Sequence, residues 1–324
     1  MEKVNNIKLD EVRETIKKNY STCQLMFMEI QSSFLIDIYK RYNKDLDGAN
    51  IVLYFAKNLH RQILHQREND LKYDISLENF WMNHKEISQP DYKIINISKD
   101  VSLPKETTRR KINTLLRHKV LQKKGKKLFW HPTEDQKKSY ESIVKKEISD
   151  VSKMINCISS LLNIKVTHDK IKEELNKHYS FYWFHYLSAF LKWAIRWQKK
   201  SNDLEIVLIA LQCAIQTGYF IKKKNISSFS DHYSKKISSK VNFSEANISA
   251  TSISEITGIP RATCIRKLEK LVILKVLKKH KPSKRYYFDI ENVPDNSFMA
   301  KELSQATIDI FSDFYLVIIK GLIN

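Results

Sequence analysis

Two stretches of this chain have the same pattern: ISKDVSLPKETTRRKI at residues 97–112 and ISEITGIPRATCIRKL at residues 253–268. With a shift of 156 residues, the two copies have Ile, Ser, Pro, Thr, Arg and Lys at matching places, and the match continues through Leu115 and Leu271. Each copy predicts a short helix, a tight turn, a longer helix that begins at a proline, and a hairpin with a basic tip. A repeat at a fixed shift predicts that one structural unit is built twice.

The longer helix of each copy is predicted to have a buried side and an outward side. Pro104 and Pro260 suit the first helical position, where a missing N–H costs nothing, and Gly258 suits the tight turn before it. Apolar spacing predicts a buried side made of Ile253, Ile256, Ile259, Cys264, Leu268 and Leu271. The outward side then carries Lys105, Glu106, Arg109, Arg110 and Asn113 in the first copy, and Arg261, Ala262, Ile265, Arg266 and Glu269 in the second.

Most of the positive charge of the chain lies in these two units. The 324 residues include 56 Lys and Arg against 36 Asp and Glu, a formal net charge of +20. Residues 104–127 contain ten basic residues and one acid, and residues 261–285 again contain ten and one. The two segments thus hold +18 of the +20, whereas the rest is nearly balanced. Two matching basic surfaces are typical of proteins that contact nucleic-acid phosphates.

A helix that reads DNA enters a major groove about 12 Å wide with its N-terminal turns against the base edges. Arg110 and Arg266 are the candidates for base contacts, because arginine can bond to guanine O6 and N7 at once. Thr107 and Thr263 would contact phosphate or help to cap the helix. Each of these residues alone could be an ordinary surface residue, but their repetition in register favours a role in binding.

The two hairpins have basic tips and aromatic return strands. Residues 128–130 and 286–288 form the return strands and are expected to anchor each hairpin on its unit. The basic side chains of the tips would lie along phosphates or reach into the minor groove. The candidate DNA-binding residues are Lys105, Thr107, Arg109, Arg110, Lys124, Lys126, Lys127, Arg261, Thr263, Arg266, Lys279, Lys281, Lys284 and Arg285.

The segment GIPRATCIRKLEKL at residues 258–271 resembles the recognition segment of winged helix-turn-helix regulators of the MarR type. The resemblance implies a homodimeric repressor or activator whose terminal helices form the dimer interface. Because both units lie on one chain here, we expect a fused, monomeric pseudo-dimer. The chain departs from the family in its wing, which lacks an Asp-x-Arg element, and in the long insertions 66–93 and 225–250. It also has Lys119 and Lys275 where the family has a glycine that closes the recognition helix.

We therefore predict a mainly α protein with small β wings. Long helices would join two tandem winged helix-turn-helix domains, residues 1–145 and 146–324, related by a pseudo-two-fold duplication. One helix, capped by Thr133 and ending near Leu162, should cross from the first half into the second.

Two further features of the chain predict helices. Asp47-Gly48 is expected to break the N-terminal helices, so that the next helix begins near Ile51. A helix rich in aromatics should span about Tyr179 to Gln198. Its aromatic side chains could line a ligand pocket, but burial in the core between the two halves is the favoured interpretation.

The predicted function is sequence-specific binding of double-stranded DNA by a transcription regulator. No metal-binding, phosphate-loop or nucleophile motif occurs, so we expect neither an enzyme nor a cofactor. The four scattered cysteines fit reduced thiols, and Met1 to Asn6 has no apolar signal core. We therefore expect a cytoplasmic, nucleoid-associated protein with no membrane partner.

Two other functions fit the same sequence. Replication initiators of plasmids and phages also use tandem winged helices on one chain, and they would bind direct repeats at an origin. A scaffold would instead use its winged helices to bind an acidic protein partner. The target sequence, the sign of regulation and any small-molecule effector cannot be read from the sequence.

Overall fold

The part of the chain that the structure describes is mainly α-helical with two small β-hairpins, which confirms the predicted mainly α class. The computed structural model describes residues 7–69, 75–201, 203–228, 230, 242–288 and 301–322. The first half comprises α1 (Leu9–Lys18), α2 (Tyr20–Arg41), α3 (Leu46–Asn69), α4 (Leu77–Asn83), α5 (Ile94–Asp100), α6 (Lys105–Arg117), β1 (Gln122–Lys124), β2 (Lys127–Phe129) and α7 (Glu134–Leu161). The second half comprises α8 (His168–Lys177), α9 (Tyr179–Ser201), α10 (Leu204–Lys223), a 3-10 helix (Phe243–Ala246), α11 (Ala250–Thr257), α12 (Arg261–Ile273), β3 (Leu277–His280), β4 (Arg285–Phe288) and α13 (Lys301–Gly321).

The elements follow one another in the same order in the two halves. Among the described residues, each half has three helices, a short helical insertion, a pair of helices joined by a tight turn, a hairpin and a final long helix. The first helices, α1 and α8, have 10 residues each, and the longer helices of the two pairs, α6 and α12, have 13 each. The starts of α6 and α12 differ by 156 residues, which is the shift between the two sequence copies.

The two halves pack on each other reciprocally. Helix α2 packs on α10, and their counterparts α9 and α3 pack on each other in the same way. Helix α1 packs on α13, and their counterparts α8 and α7 also form a pair. Where the long helices α7 and α13 meet, Ser159 Oγ lies 3.0 Å from Tyr315 OH, and these two residues are themselves 156 apart. One continuous core of buried residues therefore runs through both halves.

The aromatic helix α9 lies in that core, as predicted. The ring of Phe34, from α2, meets three rings of α9 edge to face. The centroid distances are 6.3 Å to Trp183, 5.5 Å to Tyr186 and 4.8 Å to Phe190. Aromatic side chains bury a large area each, so this cluster binds the two halves together.

The tight turn between the paired helices is built alike in both halves. Ser98 and Ser254 each donate a hydrogen bond through Oγ to the carbonyl oxygen five residues later, at 2.7 Å. The turn places Ser102 at a φ of 57° and Gly258 at 73°. Glycine reaches this left-handed conformation without a steric penalty, which is why the sequence could locate the turn at Gly258.

Two local predictions were wrong by a few residues. Pro104 and Pro260 are N-cap residues with extended ψ of 141° and 136°, and the helices begin one residue later. Proline fits because its fixed φ suits either position. The break before α3 lies at residues 42–45, not at Asp47-Gly48, because the Asp45 carboxylate accepts a hydrogen bond from Gly48 N at 3.0 Å and starts the helix early.

Helix α7 runs without interruption from Glu134 to Leu161, as predicted. Thr133 caps it through a capping box with Gln136, in which each side chain bonds to the backbone N–H of the other residue. The division predicted between residues 145 and 146 lies inside this helix and stays a prediction.

The return strands anchor the hairpins on their units, as expected. Trp130, directly after β2, is buried, and the Gln89 side-chain amide bonds to both its N–H and its carbonyl oxygen at 3.0 Å. In the second half, Ile248 and Tyr286 exchange two backbone hydrogen bonds at 2.9 Å. Residues 229 and 231–241 of the predicted insertion 225–250, and residues 70–74 of the predicted insertion 66–93, lie outside the described residues.

Among the described residues, one helix is long and apolar enough to cross a membrane by length and composition. This helix is α10, whose most apolar 18-residue segment has a mean hydropathy of 1.6. In the structure 72% of that segment is buried, because α10 packs on α2 and α12. Such burial is typical of a core helix in a soluble protein.

Candidate nucleic-acid interface

Matching ion pairs fix the inner sides of α6 and α12. Lys111 Nζ lies 2.6 Å from Asp45 Oδ1, and Lys267 Nζ lies 2.6 Å from both Asp203 Oδ2 and Glu205 Oε2. Asp45 and Asp203 also accept backbone hydrogen bonds from the first turns of α3 and α10. Each basic helix is thus tied by its inner lysine to a core helix of its own half, with its opposite side towards solvent.

The apolar platform under the second pair is nearly as predicted. Ile253, Ile259, Cys264, Leu268 and Leu271 are fully buried. The prediction was wrong for one member, Ile256, which is 46% exposed. In α11 the buried side is occupied by Ala250, Ile253 and Thr257, so Ile256 falls on the outer side of this short helix.

The outward side of α6 and α12 is exposed as predicted, apart from partial burial of Ile265 and Glu269. Arg110 and Arg266 occupy the sixth position of their helices and are both exposed. Neither guanidinium has a hydrogen bond or ion pair with any residue that the structure describes. Two arginines in the same register are therefore available to a ligand.

The other outward arginines, Arg109 in α6 and Arg261 in α12, each bond to a neighbouring side chain, and the partner differs between the two halves. Arg109 Nη2 and Nε donate to the two oxygens of Glu106 at 2.8 and 3.0 Å, and this pairing lowers the pKa of the Glu106 carboxyl. Arg261 Nε donates to Thr251 Oγ1 at 3.0 Å. The N-terminal turn of α6 thus presents an oriented acid–base pair, whereas that of α12 presents an arginine beside Ala262.

Thr107 and Thr263 are half-buried in the first turns of α6 and α12. Neither helix has a side-chain capping bond, because the N-cap residue is proline. It is Thr108 whose hydroxyl bonds to the Pro104 carbonyl, at 3.1 Å. Of the two roles predicted for the threonines, only the phosphate contact stays open.

The hairpin tip of the first half has lysines that form no ion pair with the described residues. Lys124 and Lys126 are exposed on either side of Gly125, which has a φ of 60°. Lys127 is half-buried and lies over the ring of Phe129, 5.6 Å from its centroid. Two ammonium groups of this tip are thus free among the described residues.

In the hairpin of the second half, one lysine is paired with a carboxylate of α12. Lys279 Nζ lies 2.5 Å from Glu269 Oε1 and 5.4 Å from the centroid of the Tyr286 ring, and Tyr286 OH donates to the same carboxylate at 2.7 Å. These bonds from Lys279 and Tyr286 lower the pKa of Glu269. The remaining candidates are exposed: Lys281, Lys284 and Arg285, the last 3.4 Å from Asn247 Oδ1.

Sequence patterns alone missed one basic residue at this surface. Lys40, near the end of α2, lies beside the turn at Gly258, 218 residues later in the chain. No local pattern marks Lys40, because its contact with the turn depends on how α2 packs; Lys199 occupies the corresponding twenty-first position of α9.

The described part of the chain has no group of three or more His, Cys, Asp or Glu side chains placed to hold a metal ion. Burial raises the thiol pKa of all four cysteines, most strongly at the deeply buried Cys23 and Cys213. Such thiols are poor nucleophiles at neutral pH. The basic surface is the feature of this part of the molecule that best suits a ligand.

No protein-family model, curated protein or solved structure matches this chain significantly. The function is therefore inferred from the site itself.

Proposed function

We propose that this protein is a sequence-specific double-stranded DNA-binding protein, a transcription regulator with two winged helix-turn-helix units on one chain. The observation that carries the proposal is the matched placement of Arg110 and Arg266. Each is an exposed arginine on the outward side of a 13-residue helix, with no partner for its guanidinium among the described residues, and a basic hairpin follows each helix. Arginine in such a position can bond to guanine O6 and N7, while the hairpin lysines neutralise phosphates.

The reciprocal packing supports a pseudo-two-fold relation between the units. When α2 packs on α10 while their counterparts α9 and α3 pack together, the interface has the self-complementary form of a two-fold dimer. The helices α6 and α12, here called the two readers, would then enter successive major grooves about 34 Å apart and face inverted half-sites. This favours a fused pseudo-dimer of the MarR type over a replication initiator that binds direct repeats.

The two readers differ, so the target is an imperfect palindrome. The first turn of α6 offers Lys105 and the Glu106–Arg109 pair, and that of α12 offers Arg261 and Ala262. A carboxylate can accept from cytosine N4, whereas an alanine methyl suits the methyl group of thymine. The half-site read by α6 should therefore be richer in G·C pairs than the half-site read by α12.

The test is the salt dependence of binding to DNA fragments selected from a genomic library. With ~8–10 phosphate contacts, log Kobs should fall against log[salt] with a slope of about −7 to −9. A slope near zero, or no binding at low salt, would contradict the proposal. Stable capture of an acidic protein without DNA binding would identify a scaffold, and enrichment of direct repeats would identify a replication initiator. Recovery of the protein with the nucleoid would test the proposed cytoplasmic location.

A further inference from the structure

The C-terminal end of α2, an element of the first half, lies against the DNA-reading unit of the second half. The Tyr39 hydroxyl is close enough to Glu205 and Cys264 that, with burial as the larger cause, they raise its pKa to about 12. The side chain of the next residue, Lys40, reaches the turn at Gly258. Its Cε lies 3.8 Å from the point where a Cβ on Gly258 would stand. The long helix of one half therefore ends at the turn that precedes α12 of the other.

Lys40 is exposed at this turn and has no partner there. Its ammonium has no hydrogen bond or ion pair with the described residues, in contrast to Lys111 and Lys267, which are held by carboxylates. The turn leads directly into Arg261, the first residue of α12. An exposed ammonium beside the N-terminus of a groove-reading helix is placed where phosphates flank the groove.

The corresponding helix of the second half has an exposed lysine at the same position. Lys199 is exposed and is the twenty-first residue of α9, as Lys40 is the twenty-first of α2. The neighbouring Gln198 donates through Nε2 to Asp47 Oδ1 at 3.1 Å. Asp47 lies in the first turn of α3, beside the Asp45 that holds Lys111 of α6. The end of α9 thus reaches the start of α3, where the Asp45–Lys111 pair holds α6.

We propose that Lys40 binds a DNA phosphate beside the half-site read by Arg266, and that Lys199 does the same beside the half-site read by Arg110. Each DNA-reading unit is then completed by a lysine from the other half of the chain. The inference rests on the proposed function and adds two phosphate ligands to it. Both ammonium groups are exposed, and neither has an ion pair with a residue that the structure describes, so binding breaks no ion pair of the described part of the chain.

The experiment compares the full-length protein with Lys40→Ala and Lys40→Gln on the selected DNA fragment. Each lost phosphate contact reduces the magnitude of the salt slope by about 0.9, so both variants should bind with a slope shallower by that amount. Lys40→Arg should keep the wild-type slope, because the charge remains. The matched control is Lys153→Ala, which removes an exposed lysine that pairs with Asp150 on α7 and belongs to neither α6 nor α12. Its slope should stay unchanged.

The position of the lost contact is the sharper readout. Phosphate ethylation interference should lose one site with Lys40→Ala, in the half-site whose base contacts disappear with Arg266→Ala. Loss in the half-site of Arg110→Ala, or an unchanged slope in both Lys40 variants, would overturn the inference while the proposed function stands. If the wild-type protein binds no DNA, the inference and the proposed function both fail.

Discussion

The buried ammonium of Lys267 lies 2.6 Å from the Asp203 carboxylate and links α12 to the start of α10. Lys111 and Asp45 form the corresponding pair in the first half, also at 2.6 Å. Both lysines belong to the basic segments that the sequence marks as phosphate-binding, yet they point inward. Their role is to hold α6 and α12 each on a core helix, so that the arginine one residue earlier faces outward.

Loss of the Lys267 ammonium should destabilise the protein. The Lys267 side chain is 7% exposed and lies between two carboxylates, so Lys267→Ala would leave Asp203 and Glu205 without their shared cation. Breaking a buried pair costs about 3–5 kcal/mol; since these carboxylates are partly exposed, we expect about 2–3 kcal/mol less free energy of unfolding. Urea denaturation measures this change in the free energy of unfolding. Lys17→Ala, which breaks an exposed pair with Glu14, should cost less than about 1 kcal/mol.

Glycine at the ends of the two basic helices should stabilise the protein. Lys119 and Lys275 have φ of 55° and 57°, in the left-handed region where a side chain is strained. Lys119→Gly or Lys275→Gly removes that strain, offset in part by the entropy of glycine in the unfolded chain, for a net gain of about 0.5–1 kcal/mol. Thermal denaturation is the measurement. Lys270→Gly, inside α12, should cost about 1 kcal/mol; stabilisation there would contradict the explanation.

The buried carboxyl of Glu147 makes stability depend on pH. Burial raises its pKa from 4.5 to about 8, against an opposing hydrogen bond from Tyr186 OH. Between these values the unfolded chain is ionised and the folded protein stays protonated, so the free energy of unfolding falls as pH rises from about 4.5 to about 8. Glu147→Gln mimics the protonated form. The variant should be more stable than the wild type at about pH 8 and equally stable near pH 4. Chemical denaturation at several pH values measures the free energy of unfolding, and the same pH dependence for both proteins would refute this.

Release of Lys279 should strengthen DNA binding. Glu269 holds this hairpin lysine at 2.5 Å, so Glu269→Gln would free the ammonium for a phosphate. We expect tighter binding and a salt slope steeper by about 0.9. Glu255→Gln removes an exposed carboxylate of α11 and has the same charge change. Equal effects of the two variants would mean that only the net charge matters.

The sequence predicted the elements that depend on local chemistry. The repeated stretch predicted α5, α6, α11 and α12, because proline, the turn glycine and apolar spacing act over a few residues. It also predicted the outward side of α6, because its polar residues follow the helical period. Thr133 and Gln136 predicted the start of α7, because a capping box is a short-range signal.

The missing parts depend on distant residues. Lys40 could not be placed beside Gly258, nor Lys279 beside Glu269, without knowing how the helices pack. Lys111 and Lys267 look like any other basic residue of their segments, and only their partners Asp45 and Asp203 show that they face inward. Sequence distance hides these pairs: the two residues of the Lys111 pair are 66 apart, and those of the Lys267 pair are 64 apart.

Selection of bound DNA with wild-type protein and two single variants tests the central claim most directly. The wild type should enrich two dissimilar, inverted half-sites about one helical turn apart. Arg110→Ala should relax one half-site and Arg266→Ala the other, each costing about 1–3 kcal/mol on the wild-type target. No enriched sequence, a single half-site, or both variants relaxing the same half-site would contradict two different readers on one chain.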